Sequence, residues 1–524
     1  MRHILTALAF GLAIPAIAAA DPPKGFDVRV EAMRQSQGAP GMAIAIVENG
    51  KVTLAKGYGV KGLKHPQKVN ADTLFQIGSV SKAFTSAALA TLVDDGKIKW
   101  DDPVIDHMPG FRMYDPWVTR EITVRDLMVH RSGLGLGQGD LMFVPATTLS
   151  RAESVRRVRY LKPVTSFRSS YAYDNVLYMV AGQMIEDVTG KTWEDYVRDR
   201  LLKPAGMASS VTNDVDRFRA TDRAYPHGRL GEMRGLGPQQ ALDEKEVALG
   251  VNSAPAGAIA ASANDMARWL AVQLAAGKIP GSDKRLFSEA ASREMWKPVV
   301  PVPAPNLTGA LAEVVPQFRA YGLGWMIQDY RGHKIYQHGG ATLGFRAAIV
   351  LIPEKNIGIV LLNNSEENAL IPGLQAELLD HYLDLPKRDW SAAYVEYMDK
   401  RNAEGLAAVR AASTTRPATK PSLPVASYAG AYADPWYGPI AISEKDGALS
   451  INFQQTPGMV SPLEHWAYDT FIARFPGSTT EPAYVSFALD ANGKPERITM
   501  KAVSPIADFS YDYQDLLFTP VTVQ

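Results

Sequence analysis

The chain has 524 residues, 46% of them hydrophobic and 21% charged, and its formal net charge is zero. That length exceeds one ordinary domain and predicts two or three. Balanced charge leaves no basic field for nucleic acid or an anionic membrane, and the absence of cysteine excludes disulfides, thiolate metal sites and cysteine-linked lipid.

The N-terminus reads as a secretory signal over residues 1–20. Arg2 and His3 form its charged start, Ile4 to Ile17 its apolar stretch, and Ala18-Ala19-Ala20 a small-residue cleavage site. The rival reading is a membrane anchor. The run is shorter than the ~20 residues a spanning helix needs, and polar Asp21-Pro22-Pro23-Lys24 follows at once. The expectation is an exported protein, periplasmic or secreted, with cleavage near Ala20 and no integral membrane association.

Gly41 to Val47 and Lys51 to Ala55 flank Glu48-Asn49-Gly50, a strong hairpin signal. Next, Thr73 to Gly78 is strand-like and leads into Ser79-Val80-Ser81-Lys82. Phe84, Ala87, Ala88, Thr91 and Leu92 then recur at helical spacing. Ser79 is therefore expected in the first turn of a helix. Residues three apart on a helix are neighbours, so Ser79 and Lys82 point to one place. A serine hydroxyl needs an adjacent base to act as a nucleophile, and a buried lysine loses charge to desolvation and can be that base. Taken alone, roughly one Ser-x-x-Lys occurs by chance in such a chain, and an N-cap serine beside a solvated lysine reads equally well.

Further along, Thr123 is expected to cap a helix through Leu127 that stops at Gly133. Short basic runs such as Arg156-Arg157-Val158-Arg159 read as solvated helix faces. Tyr173-Asp174-Asn175 precedes an amphipathic helix whose stripe runs from Leu177 to Val188 and ends at Gly190. The tyrosine and asparagine, two apart on an extended loop, can face the same way. A phenol near an ammonium could lose its proton more easily and relay it during acyl transfer; a loop tyrosine packed on the core is the plainer reading. Ser262 to Asp265 opens another helix as a capping box. Ile335-Tyr336-Gln337, Phe345 to Leu351 and Ile357 to Leu362 read as strands, the last two joined at Pro353 to Asn356. Gln337-His338-Gly339-Gly340-Ala341 ends the first of these. Gly339 and Gly340 let a substrate backbone approach. An edge there could add a substrate strand and supply an oxyanion N–H, with His338 polarising the substrate or holding the tyrosine and lysine. A histidine satisfied in a turn is the alternative.

Two early strands and three late ones predict one antiparallel sheet with helices on its faces, an α+β domain over residues 25–385. Residues 386–424 read as a helical stretch from Asp389 to Val409 followed by a Ser/Thr/Pro-rich linker. Residues 425–524 alternate short strands with turns, as in a small antiparallel barrel or sandwich. Trp436, Tyr437, Trp466 and Tyr468 there are either pocket lining or barrel core and rim.

Ser79-x-x-Lys82, Tyr173-x-Asn175 and His338-x-Gly340, in that order and spacing, resemble the class C β-lactamase-like serine hydrolases of the penicillin-binding-protein type. The phrases Phe75 to Ser79, Ile122 to Leu127, His130 to Leu134, Pro255 to Ile259 and Asp265 to Arg268 are also similar to that family. The resemblance implies Ser79 as acylated nucleophile, Lys82 and Tyr173 as base and acid, Asn175 as a contact of Lys82 or substrate, and the N–H groups of Ser79 and Ala341 as oxyanion hole. It implies no metal and no cofactor. The third motif is His-Gly-Gly rather than Lys-Thr-Gly, which weakens recognition of a β-lactam carboxylate. With a C-terminal lipocalin-like barrel, the chain looks more like the peptidase and esterase members, D-aminopeptidase-like enzymes among them, whose barrel shapes or covers the entrance. The expectation is a serine peptidase on short linear peptides, including D-residue-containing cell-wall peptides or linearised cyclic peptides such as microcystin. The alternatives are a carboxylesterase with the same site, a β-lactamase or penicillin-binding activity, and a non-catalytic ligand sensor.

Overall fold

A computed structural model describes residues 22–412 and 416–521. The signal segment of residues 1–20 lies outside them, as do residues 413–415 of the linker. No helix among the described residues is long and apolar enough to cross a membrane.

The first domain is built on a nine-stranded antiparallel sheet. Its strands are β1 (Gly41–Glu48), β2 (Lys51–Gly62), β3 (His65–Lys68), β4 (Val300–Pro301), β5 (Arg319–Tyr321), β6 (Met326–Tyr330), β7 (His333–Thr342), β8 (Phe345–Ile352) and β9 (Ile357–Asn363). The order across the sheet is β3-β2-β1-β9-β8-β7-β6-β5-β4. Early and late strands thus meet at β1 and β9, where Ala45 pairs with Val360. Asn49 and Gly50 both take positive φ in the β1–β2 turn (51° and 75°), the conformation an Asn-Gly hairpin requires.

Strand β1 is buried along its whole length because both faces are covered. Met42, Ile44 and Ile46 face one core, shared with α1 (Phe26–Ser36) and the helices Leu370–Tyr382 and Trp390–Ala412. Ala43, Ala45 and Val47 face the other, which holds α2 (Ser81–Asp94), α3 (Val176–Thr189) and α4 (Ala263–Leu274). Ser262 caps α4 through the Asp265 N–H, and Gly190, in the left-handed region, ends α3. The helix Trp390–Ala412 belongs to the outer layer, with Trp390 Nε1 donating to Asp380 at 2.6 Å.

Two local expectations need correction. Thr123 opens only a single 3-10 turn, Asp126–Met128, because Asp126 is held by the guanidinium groups of Arg131 and Arg168 and the chain turns away at once. Ser79 lies not in the α-helix but in a 3-10 turn, Gly78–Val80, that runs into it.

The second domain is a closed eight-stranded barrel. The strands Gly430–Asp434, Val460–Ala467 and Leu517–Pro520 complete it without a clear sequence signal. Trp436 and Tyr437 are buried in its core, whereas Tyr468 is exposed at the rim. The barrel docks on the first domain through Arg157, which is buried at this contact rather than solvated as its basic run suggests, and donates to Gln455 at 2.9 Å. The loop between its last two strands is held by Asp512, whose carboxylate accepts the Gly139 and Leu141 N–H groups at 2.6 and 3.0 Å.

Candidate active site

The Ser79 turn is positioned by a two-residue pairing, Phe75–Gln76 against Ala260–Ala261, and by the left-handed φ of Gly78 (50°). On its open side it abuts β7. The pairing of β7 with β6 stops at Gln337, so His338 to Thr342 leave an edge free for the turn. Two glycines permit this approach. A Cβ on Gly340 would stand 1.8 Å from the Ile77 carbonyl oxygen, and one on Gly78 would stand 2.7 Å from the Ala341 nitrogen. The Ala341 amide is therefore brought beside the Ser79 turn.

One helical turn on, Lys82 is fully buried. Its Nζ donates to Ser79 Oγ at 3.1 Å, to Asn175 Oδ1 at 2.7 Å and to the Ala256 carbonyl at 3.0 Å. All three ammonium protons thus have acceptors. Gly182 of α3 lets Pro255 pack closely, since a Cβ there would meet Pro255 at 2.2 Å, and this carries Ala256 to the lysine. Burial lowers the Lys82 pKa from 10.5 to about 7, against the opposing pull of Asp140 and Asp174. The amine is consequently half neutral near pH 7.

Tyr173 stands over the same point, with Lys82 Nζ 4.7 Å from its ring centre and 5.0 Å from that of Tyr178. Burial drives the Tyr173 phenol well above its usual pKa, and its hydrogen bond with Ser79 offsets this only in part. Asn175 bridges onward, its Nδ2 donating to Asp140 Oδ2 at 2.9 Å. That same oxygen accepts the Ser510 hydroxyl of the barrel at 2.9 Å. Burial raises Asp140 to about 8. A chain of polar contacts thus runs from the Lys82 amine to the second domain.

His338 is placed in the cleft but not on the lysine. Its Nε2 accepts from the Tyr321 hydroxyl at 2.7 Å, and its Nδ1 donates to the Gly339 carbonyl at 2.7 Å. This is the neutral tautomer, in keeping with a pKa lowered by burial to about 4. Behind it, His130 packs among Tyr173, Tyr178 and Tyr321, with ring centres 4.2, 5.5 and 4.6 Å away.

Ser79, Tyr173, Asn175, His338, Gly339, Gly340 and Ala341 all line one cleft of about 870 Å³, and Phe509, Ser510 and Tyr511 of the barrel form part of its wall. Lys82 lies behind its floor. Sequence reasoning missed Asp140, Tyr321 and Ser510. None sits in a motif, and only folding brings them to the site. The Ala256 carbonyl lay within the Pro255 to Ile259 phrase, which was the one signal for it.

The family described as Beta-lactamase matches residues 26–383, and a domain of unknown function, DUF3471, matches 414–520. The unguisins hydrolase ungD' of Aspergillus campestris is 32% identical over 77% of this chain and 74% of its own length. Protein flp of Staphylococcus aureus is 28% identical over 69% of this chain and 67% of its own. Among solved structures, the octameric penicillin-binding protein homologue from Pyrococcus abyssi aligns over 91% of this chain and 98% of its own, with a TM-score of 0.58 and 20% identity. SurE aligns over 95% and 98%, at a TM-score of 0.54 and 19% identity. With the motifs gathered around one cleft and a family match spanning the whole first domain, the chain belongs to the β-lactamase and penicillin-binding-protein-like family of serine hydrolases.

Proposed function

We propose that this protein is an exported serine peptidase that cleaves short linear peptides, D-residue-containing ones among them, through an acyl-enzyme on Ser79. The observation that carries the reading is the Ser79 hydroxyl at 3.1 Å from a buried amine whose pKa lies near 7. Lys82 takes the Ser79 proton as Oγ attacks the carbonyl carbon. The N–H groups of Ser79 and Ala341 receive the oxyanion. An amide nitrogen must be protonated before its C–N bond breaks, and Tyr173, held in its phenol form, gives that proton and regains one from Lys82. Water then attacks the acyl-enzyme by the same route. The relay leans toward amides, because an ester's alkoxide leaves with less help. The names of two similar proteins, an unguisins hydrolase and SurE solved with D-Leu, support a peptide substrate. A neutral His338 offers no charge for a β-lactam carboxylate.

Fluorophosphonate treatment followed by mass spectrometry tests the nucleophile: the adduct falls on Ser79 and is absent from Ser79→Ala. Peptide and ester libraries then supply a matched amide and ester for Tyr173→Phe. The amide rate falls by about 10²–10⁴ and the ester rate by much less. An equal loss on both would refute the lean of the relay toward amides, and an unlabelled wild type would favour a ligand sensor.

A further inference from the structure

His130 follows the Asp126–Met128 turn and takes a left-handed backbone (φ 59°), which a residue with a Cβ seldom adopts without a local reason. From there it grips the Tyr173 loop on both sides. Its carbonyl accepts the Ala172 N–H at 2.9 Å, and its Nδ1 accepts the Asp174 N–H at 3.2 Å. Its ring lies against that of Tyr173, with centres 4.2 Å apart and planes at 33°. The Tyr173 carbonyl in turn accepts the Gly137 N–H at 3.0 Å. The loop that carries the phenol is thus fixed at three successive residues, and the phenol ring on one face, by residues 130–137.

An acceptor at Nδ1 puts the imidazole proton on Nε2, so the ring is neutral. Burial and the neighbouring Lys82 and His338 hold it so, well below the usual histidine pKa. Nε2 is buried and has no hydrogen-bond partner among the described residues. An unpaired buried donor costs stability, and a phenyl ring would fill the same space without one. What the imidazole supplies and a phenyl does not is Nδ1, the acceptor for the amide next to Tyr173. We propose that His130 is the positioning residue for Tyr173, setting the phenol's place over Ser79 and Lys82 through its bond to the Asp174 amide, with its ring packed behind. It acts through Tyr173 rather than on the substrate. Proton delivery to a leaving nitrogen depends steeply on where the donor sits, and a misplacement of about 1 Å can cost 10²-fold in rate. The assignment rests on the Ser79 hydrolase reading and adds to it the residue that makes Tyr173 effective toward amides.

The p-nitroanilide and the p-nitrophenyl ester of N-acetyl-D-alanine test this in the full chain, because the anilide nitrogen must be protonated to leave and the phenolate need not be. His130→Phe keeps an aromatic ring and removes Nδ1. Its kcat on the anilide falls by about 10-fold to 100-fold with KM nearly unchanged. Its ester rate and its fluorophosphonate labelling stay within about threefold of wild type. In a Tyr173→Phe background the same substitution costs less than about twofold further, since the residue it aligns is already gone. His130→Asn tolerates the left-handed backbone and places Oδ1 where Nδ1 was, so it recovers part of the anilide rate that His130→Phe loses. One reading needs no variant to fold: in the wild type, the nitrogen shifts of isotope-labelled histidine show His130 with Nδ1 bare and Nε2 protonated, unchanged from about pH 6 to 8. The positioning role is overturned by an unaffected anilide rate in His130→Phe, by equal losses on anilide and ester, or by additive losses in the double variant. It is equally overturned by His130→Asn doing no better than His130→Phe, by a proton on Nδ1, or by a wild type that fluorophosphonate labels but that leaves the anilide intact. Absence of wild-type labelling overturns the hydrolase reading itself.

Discussion

The base assignment makes a quantitative demand on the pH dependence of Ser79 acylation. A drop in the Lys82 pKa from 10.5 to about 7 corresponds to roughly 5 kcal/mol against the buried ammonium. A solvated lysine would be neutral in about one molecule in 3,000 at pH 7, whereas this one is neutral in about half. The rate constant for labelling by a neutral fluorophosphonate, followed from pH 5 to 10 by intact mass, should rise tenfold per pH unit below about 7 and level off above it. The sign follows from the group: an amine is a base only when unprotonated, so activity is lost as pH falls through the lowered pKa. Lys82→Met, close in shape but without a base, should lose about 10²–10⁴ of the plateau rate and all of the ramp. A wild-type rate still climbing at pH 10, or a ramp that persists in Lys82→Met, would refute Lys82 as the group that takes the serine proton.

Asp140→Asn keeps an acceptor for Asn175 and Ser510; because burial raises Asp140 to about 8, it is mostly protonated where Lys82 titrates, so the labelling profile should stay close to the wild type's, and a clear move to lower pH would show that Asp140 is ionised there. Gly340→Ala places a methyl 1.8 Å from the Ile77 carbonyl, pushing the Ser79 turn from β7. Labelling should fall by about 100-fold or more, and a rate near wild type would show that the approach is not needed. Asp512→Ala strips the Gly139 and Leu141 N–H groups of their acceptor. Chemical denaturation should register a loss of about 2 kcal/mol, and an unchanged midpoint would mean the barrel loop is not anchored there.

Local rules were enough for the features whose physics is local. Asn49-Gly50 specified its hairpin because only a few residues accept that backbone conformation, and Ser79 and Lys82 were bound to meet because one helical turn separates them. Ser262 and Gly190 marked helix ends for the same reason. Periodicity was less use where strands carry little contrast: β6 and the Val460–Ala467 strand, interrupted by Pro462 and charged residues, became strands through their neighbours. The chemistry of the site depended on folding more heavily still. The Lys82 pKa falls because α2, α3 and the Ala256 segment exclude water from it, and no window of sequence holds that sum of burial. Asp140 and Ser510, 370 residues apart, touch only because the barrel docks where it does. Spacing along a chain can say which groups lie one turn apart. How far each is desolvated, and by what, is a property of the assembled interior.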